Sequence, residues 1–361
     1  MTQFAEAGAV LAAGVNAHAF PAACAEVGRL AGPLWRQAFG ARTYDPYDHA
    51  ISDDTIFDLA SLTKPIATTT LLRRAVDDGV VALDELIGTR LRDWRGADRE
   101  AVTVRDLLAH CSGLPAYLPF FRDHTRRVEF EPAVCAVPLE YAPRSRSLYS
   151  DLGFILLGFL LEDVRNPTHA SGRHDPAATL SAQFRRVASF ITTEPLAFNP
   201  PREWRPRTAP TEFDAWRGRT LTGEVHDENA WALGGVAGHS GLFGTAGAVG
   251  AFARAVLGTL AGDGILANTR TLHEFVRRRP DVPGSSRALG WDTMLPTSSC
   301  GTRLSPTAIG HTGFTGTSLW IDWERDLYVV LLTNRVHPTR ENNRIRAIRP
   351  AFHDAVVAAA G

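Results

Sequence analysis

Ser61-Leu62-Thr63-Lys64-Pro65 holds the only lysine in the chain; every other basic side chain among the 38 Lys and Arg is arginine. The two cations differ in one respect that matters here. Arginine keeps its proton at any pH a protein survives, whereas a lysine amine gives it up once burial or neighbouring cations disfavour the charge. A lone amine in an arginine-rich chain therefore reads as a proton-transfer group. Ser61 stands three residues before it, on the same side of a helical turn, which places hydroxyl and amine side by side. The bland alternative is a surface lysine that happens to follow a serine. Pro65 adds geometry, because proline fits only the first turn of a helix, so a helix is expected over Ile66–Asp77. Ser61 then sits at its N-terminal lip, where free N–H groups and the helix dipole favour developing negative charge.

At 361 residues the chain is long enough for two subdomains. Apolar content of 45% and charged content of 21% are ordinary for a soluble globular protein. A net charge of −1 with interspersed signs offers no polyanion-binding face, so nucleic acid is not an expected partner. Arg277-Arg278-Arg279 and the set Arg344, Arg346 and Arg349 read as solvated helix faces. Cys24, Cys111, Cys135 and Cys300 are scattered without a Cys-x-x-Cys pair, which argues against a zinc cage and gives no disulfide framework. The N-terminus lacks a cationic start before an apolar run, and Leu152–Leu161 is about half the length of a membrane span. A cytoplasmic location is expected, with no transmembrane segment. The sequence sets no oligomeric state.

Residues 4–15 read as a helix, and Phe20–Val27 with Leu34–Phe39 as a strand pair joined over Gly28 to Pro33. Short helical stretches follow at Val104–His110 and Leu152–Val164. Asn166 to Trp216, rich in Pro, Arg, Thr and Ala, reads as a surface excursion with one helix at Leu180–Phe190. Trp231–Gly250 is dense in glycine, a loop whose backbone approaches something closely, with helix from about Ala246 to Leu260. Thr317–Asp322 and Leu327–Asn334 form a hairpin, and Asn342–Ala360 closes the chain as a helix. Strands at both ends with helices between them predict an α/β (α+β) fold. Residues 1–70 and 225–361 make an antiparallel sheet flanked by helices, and 71–224 a mostly helical subdomain.

A Ser–Lys pair needs a second proton-handling group, an oxyanion donor pair and a rigid edge for substrate. Tyr149, in Leu148-Tyr149-Ser150-Asp151 before an apolar helix, fits the first need. A phenol beside an ammonium is expected to have its pKa lowered and to relay the serine proton. Gly310-His311-Thr312-Gly313-Phe314 leads into the hairpin and supplies the edge, with a strand N–H to complete an oxyanion hole.

Ser-x-x-Lys, Tyr-x-Asp and His-Thr-Gly, in this order, resemble the penicillin-recognising serine hydrolases, nearest the class C β-lactamase-related branch. Phe57-Asp58-Leu59-Ala60, Leu107 through Pro115, and Gly310–Asp322 are similar to its recurring segments. The resemblance implies a β-lactamase/transpeptidase-like fold with the active site between sheet and helical parts. It further implies Ser61 as acylated nucleophile, Lys64 as its proton partner, Tyr149 as general base and acid, and the N–H groups of Ser61 and Phe314 as oxyanion hole. Asp151, His311, Thr312 and Gly313 would contact substrate.

Two departures stand out. Asp151 replaces the Asn that would donate to a substrate carbonyl, and His311 replaces a lysine that would hold a carboxylate, although a neutral imidazole could still donate one hydrogen bond. Both favour an ester or amide other than a β-lactam. Gly223 through Ala230 and Gly238-His239-Ser240-Gly241 resemble a muropeptide-amidase branch, which adds His226, Asn229 and His239 as candidate substrate contacts. His226, Asp227, Glu228 and His239 have metal-ligand chemistry, but a serine mechanism requires no metal or cofactor, and the plainer reading has Asp227 capping a helix while the histidines pack. The expected activity is acyl-enzyme hydrolysis of an amide or ester in a peptidoglycan-derived or D-amino-acid peptide. The alternatives are a small-molecule carboxylesterase with weak β-lactamase activity, and a sensing module that acylates without turnover.

Overall fold

The computed structural model describes residues 3–165, 175–264, 266 and 268–361. The early part of the expected surface excursion, 166–174, lies outside them. Six antiparallel strands form the main sheet, in the order Gly32–Gly40, Ala22–Arg29, Leu327–Thr333, Ser318–Asp322, Ile309–Thr312, Asp292–Thr293. Both ends of the chain thus meet in one sheet, because Ala22–Arg29 pairs directly with Leu327–Thr333.

The period-2 pattern of those two central strands splits the core. Ala22, Cys24, Tyr328, Val330 and Leu332 face a large core that continues through the helix Ala246–Ala261 into the helix Asp151–Arg165. Ala23, Ala25, Val27, Val329 and Leu331 face the opposite layer, made by the helices Ala5–Asn16 and Ile345–Ala360. Both faces are covered, so the strands are mostly apolar, and the one buried acid, Glu26, is paired with Arg36 and Arg254. All four cysteines are buried and free. Among the described residues no helix is long and apolar enough to cross a membrane.

The strand Ala22–Arg29 runs past Gly28, which the sequence reading assigned to the loop. A Cβ at Gly28 would meet the Tyr328 hydroxyl at 2.4 Å, so this glycine serves close strand packing rather than a turn. Helices at Arg126–Cys135 and Thr269–Val276 were not anticipated.

The segment after Ser61 is more irregular than expected. Ala60–Leu62 is a 3₁₀ turn, Lys64–Thr69 is π-wound, and regular α-helix begins only at Thr70 and runs to Asp77. Pro65 sits within the first two positions of the π-wound turn, where its missing N–H costs nothing. The glycine-rich loop ends in the strand Leu242–Gly244, which pairs with Phe57–Asp58 just ahead of Ser61. Its Gly238 lies so close to the helix Asp151–Arg165 that a Cβ would stand 2.0 Å from the Phe154 carbonyl oxygen. That approach lets the Thr68 hydroxyl donate to the Gly238 carbonyl at 2.7 Å, clamping loop, helix and Lys64 segment together.

Candidate active site

Ser61 is placed by its predecessors. Ala60 adopts φ of 47°, an uncommon conformation for a residue with a side chain. The fully buried Asp58 holds it there: one carboxylate oxygen accepts the Ala60 N–H at 2.8 Å and the other accepts the His226 N–H at 2.7 Å. The hydroxyls of Thr315 and Thr317 donate to the carbonyls of Asp58 and Leu59 at 2.8 and 3.0 Å. These bonds dock the Gly313–Phe314 turn on the Ser61 loop. Gly313 is needed there, since a Cβ would stand 2.1 Å from the Thr317 hydroxyl and 2.7 Å from the Leu59 carbonyl. The N–H groups of Ser61 and Phe314 therefore come from abutting segments, and neither donates within the described chain.

Lys64 is completely buried. Its Nζ donates to Ser61 Oγ at 2.9 Å, to Asp151 Oδ1 at 2.7 Å and to the His239 carbonyl at 3.1 Å, which uses all three protons of an ammonium. The amine also lies 4.8 Å from the centroid of the Tyr149 ring. Ser61 itself remains partly exposed, so the hydroxyl is reachable from outside while its amine partner is not.

The electrostatics differ from the sequence expectation. Burial pulls the Lys64 pKa down, but the charge of Asp151, with Tyr149 behind it, more than offsets this and holds the amine above its ordinary value. Tyr149 also moves up. Burial of its hydroxyl disfavours the phenolate, and Asp151 adds to this, outweighing the stabilising ammonium. The ring is partly exposed while the hydroxyl is enclosed and makes no well-formed hydrogen bond. At rest the site thus holds an ammonium–carboxylate pair and a neutral phenol.

Asp151 is accordingly spent on Lys64 rather than aimed at substrate; its side chain is only 18% exposed. His311 also departs from expectation. Its Nδ1 stands 2.8 Å from the Thr312 carbonyl, which can only accept, so Nδ1 carries the proton. Burial, then the charges of Lys64 and Arg287, hold its pKa well below the ordinary histidine value. Nε2 is therefore a bare acceptor, buried and unpartnered, with the ring centroid 5.7 Å from that of Tyr149. The donor that a neutral imidazole was expected to offer is already used.

Thr312 is partly exposed, and its hydroxyl makes no bond within the described chain. The outer strand Asp292–Thr293 pairs only with Gly310 and Ile309, so the edge beyond Gly310, at His311–Thr312, is open. Phe314 is 50% exposed and stacks on His226 at 5.6 Å. His226 is held by Glu212 at 2.8 Å, and Glu212 also takes Arg340 at 2.6 Å. The side chain of His239 pairs with Asp227 at 2.8 Å, and Asp227 caps the next helix through the Ala230 N–H at 2.7 Å. His226 and His239 thus belong to separate pairs. Asn229 is not brought to the site at all. It is fully buried, accepting the Phe121 N–H and donating to the Leu118 carbonyl, both at 2.9 Å.

Two residues escaped the sequence reading. His110 packs its ring 4.7 Å from Tyr149 and 5.1 Å from Phe154, while its Nδ1 accepts the Ser150 N–H at 3.1 Å. It wedges Tyr149 in place. Arg287 lies with its guanidinium 5.1 Å from the centroid of the Tyr149 ring. Among the described residues the guanidinium has no ion-pair or hydrogen-bond partner, yet its charge acts on both His110 and His311. A bridge from Arg287 to Asp292, which itself pairs with Gly310, places it beside the open strand edge.

The family described as Beta-lactamase matches residues 9–351. The chain belongs to the beta-lactamase family. Its beta-lactamase fold is shared with solved structures of low sequence identity. EstCE1, titled a hydrolase with promiscuous acyltransferase activity, superposes with a TM-score of 0.74 at 19% identity over 99% of this chain and 98% of that one. The octameric penicillin-binding protein homologue from Pyrococcus abyssi gives 0.69 at 18% identity, over 95% and 76%. In sequence, a Salmonella gallinarum protein named "Putative D-alanyl-D-alanine carboxypeptidase" is 30% identical over 316 residues, covering 81% of this chain and 72% of that one. The protein is a beta-lactamase-fold serine hydrolase.

Proposed function

We propose that the protein hydrolyses, through an acyl-enzyme on Ser61, the terminal peptide bond of a short D-amino-acid peptide ending in a free carboxylate. The observation that carries this reading is the unpaired Arg287 guanidinium at the open His311–Thr312 edge, 5.1 Å from the Tyr149 ring. A peptide strand laid along that edge would direct its C-terminal carboxylate toward Arg287 and the Thr312 hydroxyl. Arg287 thereby supplies the cation that His311 does not. The name of the Salmonella relative agrees with such a substrate.

Ser61 Oγ attacks the carbonyl as its proton leaves toward Lys64 or Tyr149, whichever has lost its own. The N–H groups of Ser61 and Phe314 receive the oxyanion. The same proton returns to the leaving amine, and water releases the acyl group.

Release of D-alanine from an N-acylated D-Ala-D-Ala peptide, compared with its C-terminal amide, tests the reading. A charged hydrogen bond of about 1.5–3 kcal/mol corresponds to a preference of roughly 10–150-fold for the acid. Arg287→Gln should lose that preference through KM, and Ser61→Ala should abolish turnover. Equal hydrolysis of acid and amide by the native enzyme would refute it. The exposed Phe314 ring favours a second reading, an esterase for an apolar acyl group, which faster turnover of a neutral aryl ester than of the peptide would support.

A further inference from the structure

Arg73 lies one helical turn after Thr69 on the far side of the helix that begins at Lys64, facing away from the chemistry described above. It is 2% exposed, and both of its terminal guanidinium nitrogens are buried without a partner among the described residues. The Thr69 hydroxyl, at i−4 on the same face, is likewise buried and unpartnered. Both residues line one small cavity, walled otherwise by apolar side chains that include Phe252, Phe275 and Trp291 and by Thr70, whose hydroxyl is bonded to the Pro65 carbonyl at 3.1 Å. Asp77 is near enough for its charge to be felt by Arg73. Its carboxylate is nevertheless turned to the Asn268 N–H at 3.0 Å and forms no ion pair with the guanidinium.

Burial lowers the Arg73 pKa to about 10, which still leaves the group charged at neutral pH. An uncompensated cation in an apolar pocket is costly, and a counter-charge inside the same pocket is correspondingly valuable. A water molecule would solvate the guanidinium without neutralising it. Size restricts the choice further. The cavity is about 10 Å³, room for one particle of roughly water size and too little for a carboxylate or phosphate.

We propose that this cavity binds a single halide-sized monovalent anion, held by the guanidinium of Arg73 and the hydroxyl of Thr69. The anion ties the Lys64-bearing helix to the helices Ala246–Ala261 and Thr269–Val276. Its role is to brace the scaffold, since Arg73 stands nine residues, about 13 Å along a helix, from Lys64.

Thermal unfolding of the full chain in sodium chloride, sodium bromide and sodium gluconate at matched ionic strength tests this. Chloride and bromide should raise the Tm saturably, by about 2–4 °C over gluconate. Arg73→Met should lose that difference. Identical Tm values in chloride and gluconate, or an undiminished halide response in Arg73→Met, would overturn the proposal. If Arg73→Met does not fold, Thr69→Val and crystals of the native protein grown in bromide decide instead. A weakened halide response and an anomalous peak beside Arg73 support the site; an unchanged response or a cavity without bromide rejects it.

Discussion

Asp151→Asn isolates one charge at the centre of the site. The amide oxygen can still accept from Lys64, so the change removes the negative charge while keeping the hydrogen bond. In the native protein Asp151 raises the pKa of both Lys64 and Tyr149. At an effective dielectric of about 20, opposite unit charges at the observed 2.7 Å attract by roughly 6 kcal/mol. Asp151 keeps some contact with water, and the pair loses hydration on burial, so only part of that attraction acts on the two protons. The sign follows directly. Acylation needs one of Lys64 and Tyr149 without its proton, and removing the carboxylate makes either proton easier to lose. The ascending limb of kcat/KM should therefore move to lower pH in Asp151→Asn. A neutral aryl ester, followed from about pH 5 to about pH 10, keeps substrate titration out of the profile. A limb that stays in place or moves to higher pH would show that the Asp151 charge does not control the proton inventory of the site.

Lys64→Met should reduce ester turnover by about 10²–10⁴-fold and, by stranding the largely enclosed Asp151 carboxylate, cost about 2–4 kcal/mol of stability. The pair Lys64→Met/Asp151→Asn should recover most of that stability in urea unfolding and none of the turnover; a Lys64→Met enzyme with near-native activity would remove the amine from the chemistry. Asn229→Ala should leave the Phe121 N–H and Leu118 carbonyl unsatisfied, lowering stability by about 2–4 kcal/mol while KM for a small ester stays within about twofold. A raised KM with unchanged stability would instead return Asn229 to the substrate site.

The legible parts of the sequence were those in which local pattern and tertiary role coincide. The Ser61–Lys64 spacing predicts adjacency within one turn, and the two atoms are 2.9 Å apart even though Ser61 lies in a 3₁₀ turn and Lys64 opens a π-wound one. The apolar runs of Ala22–Arg29 and Leu327–Thr333 announce buried strands, and the glycine density at 234–250 announces a close approach. What stayed hidden depends on which partner a long-range fold supplies. Lys64 and Asp151 are 87 positions apart, and nothing local says that the acid will spend itself on the amine. The Tyr149 shift runs opposite to the sequence expectation for a related reason: burial of the hydroxyl, with the Asp151 carboxylate behind it, outweighs the ammonium. Asn229 and His226 carry chemistry in their side chains, but buried backbone and carboxylate partners consume it.

Arg287 shows the converse problem. A lysine can be singled out by being alone in the composition, whereas one arginine among many is distinguished only by the carboxylate it lacks. That lack has a reason in the site's charge balance. Compared with the Tyr-x-Asn and Lys-Thr-Gly pattern that the motifs resemble, Asp151 adds a negative charge and His311 removes a positive one. Lys64 neutralises the first by direct pairing. The second would leave the proposed substrate edge without a cation, and the imidazole cannot substitute, because burial and the neighbouring charges keep it neutral and its only proton faces the Thr312 carbonyl. A guanidinium free of acidic partners beside that edge restores the balance. It also does so at a different point in space, set back across the Tyr149 ring. The position of the substrate's anionic group relative to the scissile bond should therefore differ from that in enzymes whose cation lies on the strand itself.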